Sequence, residues 1–339
     1  MRKYLIGVFM VIVSILFSAE TMLAEARTPA VGFQAEAQLP ENQINKEVSY
    51  FHIGVKAKEE VTLHVRLDNS TEKEVTLFPT ICAAKTNSLG VVEYTTKQGR
   101  IGEKGQETIE AIATIKEKEI KLAPKETYDL KIQVKMPEKE FQGLRAGAIR
   151  LLQKETEKQT GNVRNQFARE IGIILESSSP EEIATSLAIK KAEAGQLNAR
   201  NVVDISVDNP QAKFCTLTEL KGEIKEKKTG KVIAKSTLNQ AKLAPTAIFK
   251  FPVRLAGKEF EAGNYIATLS AKEGNKTWHL EKEFTITKKE SKTFNQSDVE
   301  IKHTPSFLDR YWLSLLILLS LFLVCVLLSF YVIWKRSKH

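Results

Sequence analysis

Apolar and polar residues alternate in several stretches of the chain, so that every second side chain is apolar. The alternation is clearest over residues 61–68, 130–136, 203–207 and 249–255. A half-buried β-strand has this period of two because successive side chains point to opposite faces of the sheet. Turn-forming residues, mainly Asn, Asp, Gly and Ser, separate the stretches at close spacing. The pattern predicts an all-β, sandwich-type architecture for the central part of the chain.

Short sequence matches recur in the same order in two parts of this region, which indicates an internal repeat. The four pairs are Leu67-Asp68-Asn69 with Val207-Asp208-Asn209, Lys121-Leu122-Ala123-Pro124 with Lys242-Leu243-Ala244-Pro245, Lys139-Glu140-Phe141 with Lys258-Glu259-Phe260, and Ala146-Gly147 with Ala262-Gly263. Partners are 140 residues apart in the first pair and 121, 119 and 116 apart in the others. One large step of this kind is expected if the first of two copies carries an insertion, which we place near residues 95–116.

The repeat also predicts domain boundaries. We expect one β-sandwich domain at residues 27–177 and a second at residues 184–288, joined by a Ser- and Pro-containing linker at residues 178–183. Residues 289–310 are mostly polar without a clear period and are expected to form a stalk.

The N-terminus has the features of a secretory signal peptide at residues 1–26. Arg2 and Lys3 precede an uncharged, mainly apolar run over residues 4–17, and Ala24-Glu25-Ala26 has the small-x-small pattern of a cleavage site. An uncleaved anchor is the alternative, although the run is shorter than the ~20 residues that cross a bilayer.

The C-terminal region predicts one transmembrane helix at residues 311–334. Residues 312–334 contain only apolar, aromatic, Ser and Cys side chains, with Tyr and Trp near both ends. Lys and Arg follow in a short tail at residues 335–339, which by the positive-inside rule is cytoplasmic. A soluble core helix is the alternative, but a helix of this length would show a polar face. The chain is therefore expected to be a single-pass membrane protein with an extracellular N-terminal ectodomain.

The charge of the chain narrows the class of partner. The net charge of +9 falls to about +6 once the predicted signal peptide and tail are removed, since 45 basic and 39 acidic residues remain. Without a Lys/Arg block flanked by aromatic residues, nucleic-acid binding is disfavoured. An anionic cell wall or a negatively charged partner fits this surplus.

Cysteine is used sparingly in the predicted ectodomain. Cys82 and Cys215 lie in strand-like surroundings of different domains, and Cys325 lies in the predicted span. We interpret the first two as small buried apolar groups, with a bridge between the domains as the alternative. Such sparing use is more typical of a bacterial surface protein than of a disulfide-stapled secreted scaffold.

No pattern of catalytic or metal-binding residues is present. The five histidines stand apart from other ligands at zinc-site spacing, and neither a nucleophile elbow nor a phosphate-binding loop follows any predicted strand. The adjacent carboxylates Glu59-Glu60 and Glu181-Glu182 point apart on a strand or turn and are interpreted as solvated charges. We therefore predict no catalytic residue, no metal site and no cofactor.

A polar cluster near the start of the first domain is the candidate binding site. Glu41, Asn42 and Gln43 are followed closely by Tyr50 and Phe51. Amide and carboxylate groups can bond ligand hydroxyls and amides while an aromatic ring packs on a sugar face. The alternative is a turn in which these side chains cap local backbone groups.

Taken in order, the motifs resemble the WxL-interacting protein family of Gram-positive cell surfaces. They are Leu39-Pro40-Glu41-Asn42-Gln43, Tyr50-Phe51, Asn69, Met136-Pro137 to Phe141, Gly143, Gly147, Asp208-Asn209-Pro210, Ala244-Pro245, Ala262-Gly263 with Tyr265, and Trp278. The signal peptide, the two domains, the single helix and the basic tail complete a resemblance that spans almost the whole chain. Gly143 and Gly147 are interpreted as structural, allowing bends or close strand approach.

The resemblance implies two tandem immunoglobulin-like domains, the first associated with peptidoglycan and the second with host extracellular-matrix ligands. It also implies secreted WxL-domain proteins as partners on the same surface. The leading hypothesis is a non-enzymatic, membrane-anchored adhesion and scaffold protein. The alternatives are a structural or chaperone-like subunit that assembles by edge-strand pairing and a wall-acting hydrolase.

Overall fold

The structure of the chain is a computed structural model. The structure describes residues 32–94, 108–154, 166–301 and 307–336. The predicted signal peptide lies outside these residues, as do residues 95–107 of the expected insertion. The described chain is mainly β-strand with one long apolar helix near its C-terminus, which confirms the predicted fold class.

Strands dominate the described chain. In chain order they are β1 (Phe33–Gln38), β2 (Phe51–Gly54), β3 (Glu60–Asn69), β4 (Val75–Ala83), β5 (Lys85–Thr86), β6 (Val92–Glu93), β7 (Ala113–Ile115), β8 (Ile120–Leu122), β9 (Thr127–Lys135), β10 (Leu144–Gln153), β11 (Ala168–Glu176), β12 (Ala188–Leu197), β13 (Arg200–Asn209), β14 (Cys215–Glu226), β15 (Val232–Leu243), β16 (Ala247–Arg254), β17 (Gly263–Glu273) and β18 (Lys276–Ile286). The α-helices are α1 (Ile109–Ile112), α2 (Lys288–Ser297) and α3 (Phe307–Arg336).

The strands from β1 to β11 form the first sandwich, except for β5 and β6, which pair with each other as a separate two-stranded sheet. One sheet has the order β1-β3-β9-β7 and the other β2-β11-β10-β4-β8, with all neighbours antiparallel except β2 and β11. The apolar sides of the alternating strands face each other, and Phe33, Phe51, Leu63, Ile132 and Ile149 are fully buried between the sheets. Burial of these side chains is the main stabilising contribution to this sandwich.

The strands from β12 to β18 form a second pair of sheets, with the orders β12-β13-β16 and β15-β14-β17-β18. Gly222 of β14 lies so close to β16 that an added Cβ would meet Phe251 at 2.7 Å and Val253 at 2.9 Å. The hairpin β17–β18 turns at Gly274, whose φ of 55° favours glycine.

The repeated Asp-Asn motif ties the two sheets of a sandwich together. Asn69 ends β3, and its amide nitrogen donates to the carbonyls of Lys73, Leu122 and Ala123 at 2.8, 3.1 and 2.8 Å. Asn209 ends β13 and donates in the same way to Lys213 and Ala244, both at 2.9 Å. Each Asn therefore bonds the turn that follows the repeated Lys-Leu segment, which explains why both motifs recur together.

The described part of the expected insertion enters the first core. Helix α1 buries Ile109 and Ile112, and β7 pairs with β9 at the edge of its sheet. An added Cβ at Gly147 would lie 2.5 Å from Ile109 Cγ2 and 2.5 Å from the Cys82 carbonyl oxygen. Glycine at this position therefore permits α1 to pack against β10.

The segment expected as a stalk is partly helical. Helix α2 begins with a capping box in which the Thr287 hydroxyl accepts from the Glu290 N–H and the Glu290 carboxylate accepts from the Thr287 N–H. The Thr287 hydroxyl also donates to the Glu290 carboxylate at 2.6 Å, and this bond, together with the one from the Thr287 N–H, lowers the pKa of the Glu290 carboxyl. Beyond the helix, Asp298 accepts from the backbone N–H of Asn201 at 2.6 Å, so residues 288–298 pack on the strands instead of extending away from them. Their polar sequence hides this packing because the contacts are several hydrogen bonds and one aromatic pair, Phe294 with Phe260 at 6.0 Å between ring centroids, and not an apolar stripe.

The described residues fall into two compact units. The first contains the chain up to Ala188 together with Asp208–Leu217 and Gln240–Phe249, and the second contains Ile189–Val207, Thr218–Asn239 and the chain from Lys250 onward. Within α3, residues Tyr311–Ser329 have a mean hydropathy of 2.7 and are not buried. This segment is long and apolar enough to be a candidate membrane span.

Candidate functional site

The loop that carries Glu41, Asn42 and Gln43 folds onto β2. Gln43 is 5% exposed, and its amide nitrogen donates to the carbonyls of Asn45 at 2.9 Å and Tyr50 at 2.8 Å. Its side-chain oxygen accepts from the His52 N–H at 3.1 Å. Gln43 thereby fixes the backbone on both sides of Phe51.

The other members of the predicted cluster have different surroundings. Asn42 is exposed and donates from its side chain to the Gly54 carbonyl at 3.0 Å. Phe51 is fully buried in the first core. Glu41 is exposed on the loop, and Tyr50 is half-buried. Of the five predicted residues, Glu41, Asn42 and Tyr50 therefore present side chains to solvent, whereas Gln43 and Phe51 support the loop from below.

Tyr50 lies on the outer face of the sheet β2-β11-β10-β4-β8. Gly172 of β11 faces outward because its neighbours Ile171 and Ile173 point into the core. A Cβ added at Gly172 would meet Tyr50 Cβ at 3.4 Å and Cγ at 3.6 Å. The Tyr50 side chain therefore lies over Gly172, at ordinary van der Waals distance from the strand.

A second tyrosine and an ion pair lie beside Tyr50. Burial raises the pKa of the Tyr94 hydroxyl, and the neighbouring Glu170 and Tyr50 raise it further. Arg150 and Glu170 are directly opposite each other on β10 and β11, with Arg150 Nε 3.7 Å from the Glu170 carboxylate. Arg150 Nε is buried and has no hydrogen-bond acceptor among the described residues.

We call the group Tyr50, Tyr94, Arg150, Glu170 and Gly172 the tyrosine face. It combines two aromatic rings with a cation and an anion, which are groups that can contact a polar ligand. The sequence pattern indicates Tyr50 but not Tyr94, Arg150 or Glu170, because these three residues lie far from Tyr50 and from one another along the chain. Pairing of β10 with β11 is the signal that brings Arg150 and Glu170 together.

Other reactive groups in the described residues form pairs, such as His52 with Glu176 at 2.8 Å, and not larger clusters. No group of three or more His, Cys, Asp or Glu in this part of the chain is arranged to hold a metal ion. Cys82 and Cys215 are buried and free of disulfides. Burial raises the pKa of the Cys82 thiol, which disfavours the reactive thiolate.

Comparison with protein-family models divides the chain into two matched regions. Residues 33–153 match the peptidoglycan binding domain of WxL Interacting Proteins, and residues 158–296 match the host binding domain of the same proteins. No curated protein matches the chain significantly.

Solved structures with similar folds include bacterial chaperones and a human domain. The YadV chaperone is 11% identical with a TM-score of 0.30, covering 76% of this chain and 100% of its own. The Acinetobacter baumannii CsuC–CsuE chaperone-adhesin complex is 10% identical with a TM-score of 0.31, covering 65% of this chain and 89% of its own. A PapD-like domain of human CEP192 is 10% identical with a TM-score of 0.29, covering 46% of this chain and 92% of its own.

Proposed function

This chain belongs to the WxL-interacting protein family and has a binding role at the cell surface, and we propose that its first sandwich binds peptidoglycan through the tyrosine face. The observation that carries the proposal is that Tyr50 and the partly buried Tyr94 lie together on the outer side of this sheet, within the region matched by the peptidoglycan binding domain. Glu41 and Asn42 on the adjacent loop extend this surface.

Physical reasons support a sugar polymer as the ligand of this face. A tyrosine ring buries apolar area against the C–H face of a sugar while its hydroxyl remains able to bond water or ligand. The Arg150–Glu170 ion pair beside the rings is partly exposed, and its charged groups can contact polar groups of a ligand. Gln43 keeps the Tyr50 backbone in place, so the surface is formed before ligand binds.

The test measures how much detergent-solubilised full-length protein sediments with insoluble peptidoglycan. Tyr50→Ala and Tyr94→Leu each remove a ring, and each is expected to weaken binding about fivefold, or about 1 kcal/mol. Trp278→Ala in β18 is the matched control, since it removes a half-buried aromatic residue from the second half of the chain. The proposal fails if the tyrosine variants bind like wild type or if Trp278→Ala alone loses binding.

The second half of the ectodomain is proposed to bind proteins, either host extracellular-matrix ligands or WxL-domain partners. Strand β18 supports this role because it is 11 residues long and ends its sheet in the described structure, leaving one edge for strand addition. Co-purification of a WxL-domain protein should then survive the Tyr50→Ala substitution. Loss of both partners in that variant would contradict separate binding sites.

The remaining proposals concern anchoring and catalysis. We propose domains at residues 27–177 and 184–288, a membrane anchor at residues 311–334 with a cytoplasmic tail, and no enzymatic activity. Accessibility of the C-terminus to protease only after cell permeabilisation would support the topology. Clearing of cell walls in a zymogram of the purified protein would instead favour a hydrolase.

A further inference from the structure

A groove of about 470 Å³ lies in the first sandwich between the outer edge of β4 and the insertion. It is lined by Pro79, Thr80, Ile81, Glu110, Ala113, Thr114, Ile115, Glu117 and Lys118. The groove is separate from the outward face of the sheet where the tyrosines lie, but β4 borders β10 and so connects the two surfaces. This groove contributes no residue to the tyrosine face.

The backbone of β4 is incompletely paired along this groove. Strand β8 pairs only with Val75–Leu77, so the rest of β4 has no strand on that side in the described structure. Pro79 has no N–H to donate to Leu151 opposite it, as expected for a pair without hydrogen bonds. Such pairs alternate along an antiparallel ladder, so Ile81 and Ala83 also direct their backbone groups away from β10. The Ala83 N–H is directed this way and bonds the Glu110 carboxylate at 3.2 Å. Ile81, between them, directs its N–H and C=O into the groove.

Two carboxylates and one lysine give the groove its charge. Glu110 uses one oxygen for the Ala83 N–H, and Glu117 uses Oε1 to accept from the Tyr128 hydroxyl at 3.2 Å. The other Glu117 oxygen, Oε2, is buried and has no donor among the described residues. A buried acceptor of this kind normally has a partner, so its environment fits a ligand that donates hydrogen bonds.

We infer that the groove binds an extended peptide carrying a primary amine, of the kind that peptidoglycan stem peptides supply. The peptide backbone pairs with the Ile81 edge, and its ammonium group lies between Glu110 and Glu117. Charge complementarity favours this occupant, because a net negative groove with an unused acceptor stabilises an ammonium group and disfavours a carboxylate. The inference rests on the proposed peptidoglycan binding and assigns the peptide part of the polymer to this groove.

The test compares two preparations of insoluble peptidoglycan, one untreated and one with its amines blocked by acetylation. Full-length protein should bind the acetylated preparation about tenfold more weakly. Glu110→Gln and Glu117→Gln should lose this preference, since each removes a charge but keeps the oxygen that accepts from Ala83 or Tyr128. Glu36→Gln, on an exposed position of β1, is the control and should behave like wild type.

The outcomes separate the two proposals. If wild type binds neither preparation, the proposed peptidoglycan function fails, and with it the present inference. If wild type binds both preparations equally and the Gln variants do not differ, the function stands and the groove assignment is wrong. Lys118→Gln gives a second measurement that does not depend on the folding of the Glu variants. Because it removes the competing positive charge, it should strengthen binding to untreated peptidoglycan, and unchanged binding would overturn the assignment.

Discussion

Strands β8 and β15 occupy corresponding places in the two sandwiches, yet they differ greatly in length. In the second sandwich β15 has 12 residues and pairs along β14, whereas in the first β8 has 3 residues and pairs only with the start of β4. Both are followed by the turn that Asn209 or Asn69 bonds. The hydrogen bonds of Asn69 and Asn209 therefore join the two sheets in both sandwiches. The insertion before β8 leaves part of the β4 edge exposed, whereas β15 covers the corresponding edge of β14.

The largest expected effect is a loss of stability when the Asn69 side chain, which joins the two sheets of the first sandwich, is removed. Asn69→Ala deletes three donor contacts and the acceptor of the Thr71 N–H, leaving buried carbonyls without a partner. We expect a loss of about 3 kcal/mol in the free energy of unfolding. Urea denaturation of the purified protein, followed by circular dichroism, measures it.

The corresponding variant in the second copy sharpens this comparison. Asn209 donates to two carbonyls, and its contact from the Gln211 N–H is long at 3.4 Å. Asn209→Ala should therefore cost less than Asn69→Ala, about 2 kcal/mol. Two near-neutral variants would show that the repeated motif does not stabilise the sheets.

A smaller effect distinguishes two glycines that occupy equivalent places in the repeat. Gly147→Ala forces a Cβ against Ile109 and the Cys82 carbonyl, both 2.5 Å away, and should cost about 1.5 kcal/mol. Gly263→Ala places its Cβ 3.6 Å from Tyr265, which is ordinary contact. Thermal denaturation should show a lower melting temperature for the first variant only. Equal tolerance would mean that the insertion does not require close approach to β10.

The smallest expected effect concerns the matched positions His64 and Asp204. In the first copy, His64 Nδ1 lies 2.8 Å from the Asp129 carboxylate. At the matching position of the second copy, burial raises the pKa of the Asp204 carboxyl, and the neighbouring Lys250 partly offsets this rise. A raised carboxyl pKa means that the folded state disfavours the charged form, so stability falls as pH rises through that pKa. Asp204→Asn should therefore raise the melting temperature slightly at pH 7 and leave it unchanged at low pH. Melting curves at the two pH values give the test, and destabilisation at pH 7 would contradict this account.

Much of the fold could be predicted from the sequence because its determinants are periodic or repeated. The alternation at Leu63 and Ile132 indicated strands, and the falling separation between motifs indicated the insertion. The site was less predictable. Phe51, next to Tyr50, faces the core, and Tyr94 comes close to Tyr50 only because the chain folds back on itself. The packing of residues 288–298 depends on single hydrogen bonds such as Asp298 to Asn201, which leave no periodic pattern.

The central claim is that the first sandwich, and not the second, is the surface that contacts peptidoglycan. Hydrogen exchange of the full-length protein with and without solubilised peptidoglycan fragments tests it most directly. We predict slower exchange in residues 41–54, at the Ile81 amide and along β10 and β11, with residues 215–286 unchanged. Protection confined to residues 215–286, with the first sandwich unaffected, would contradict the account.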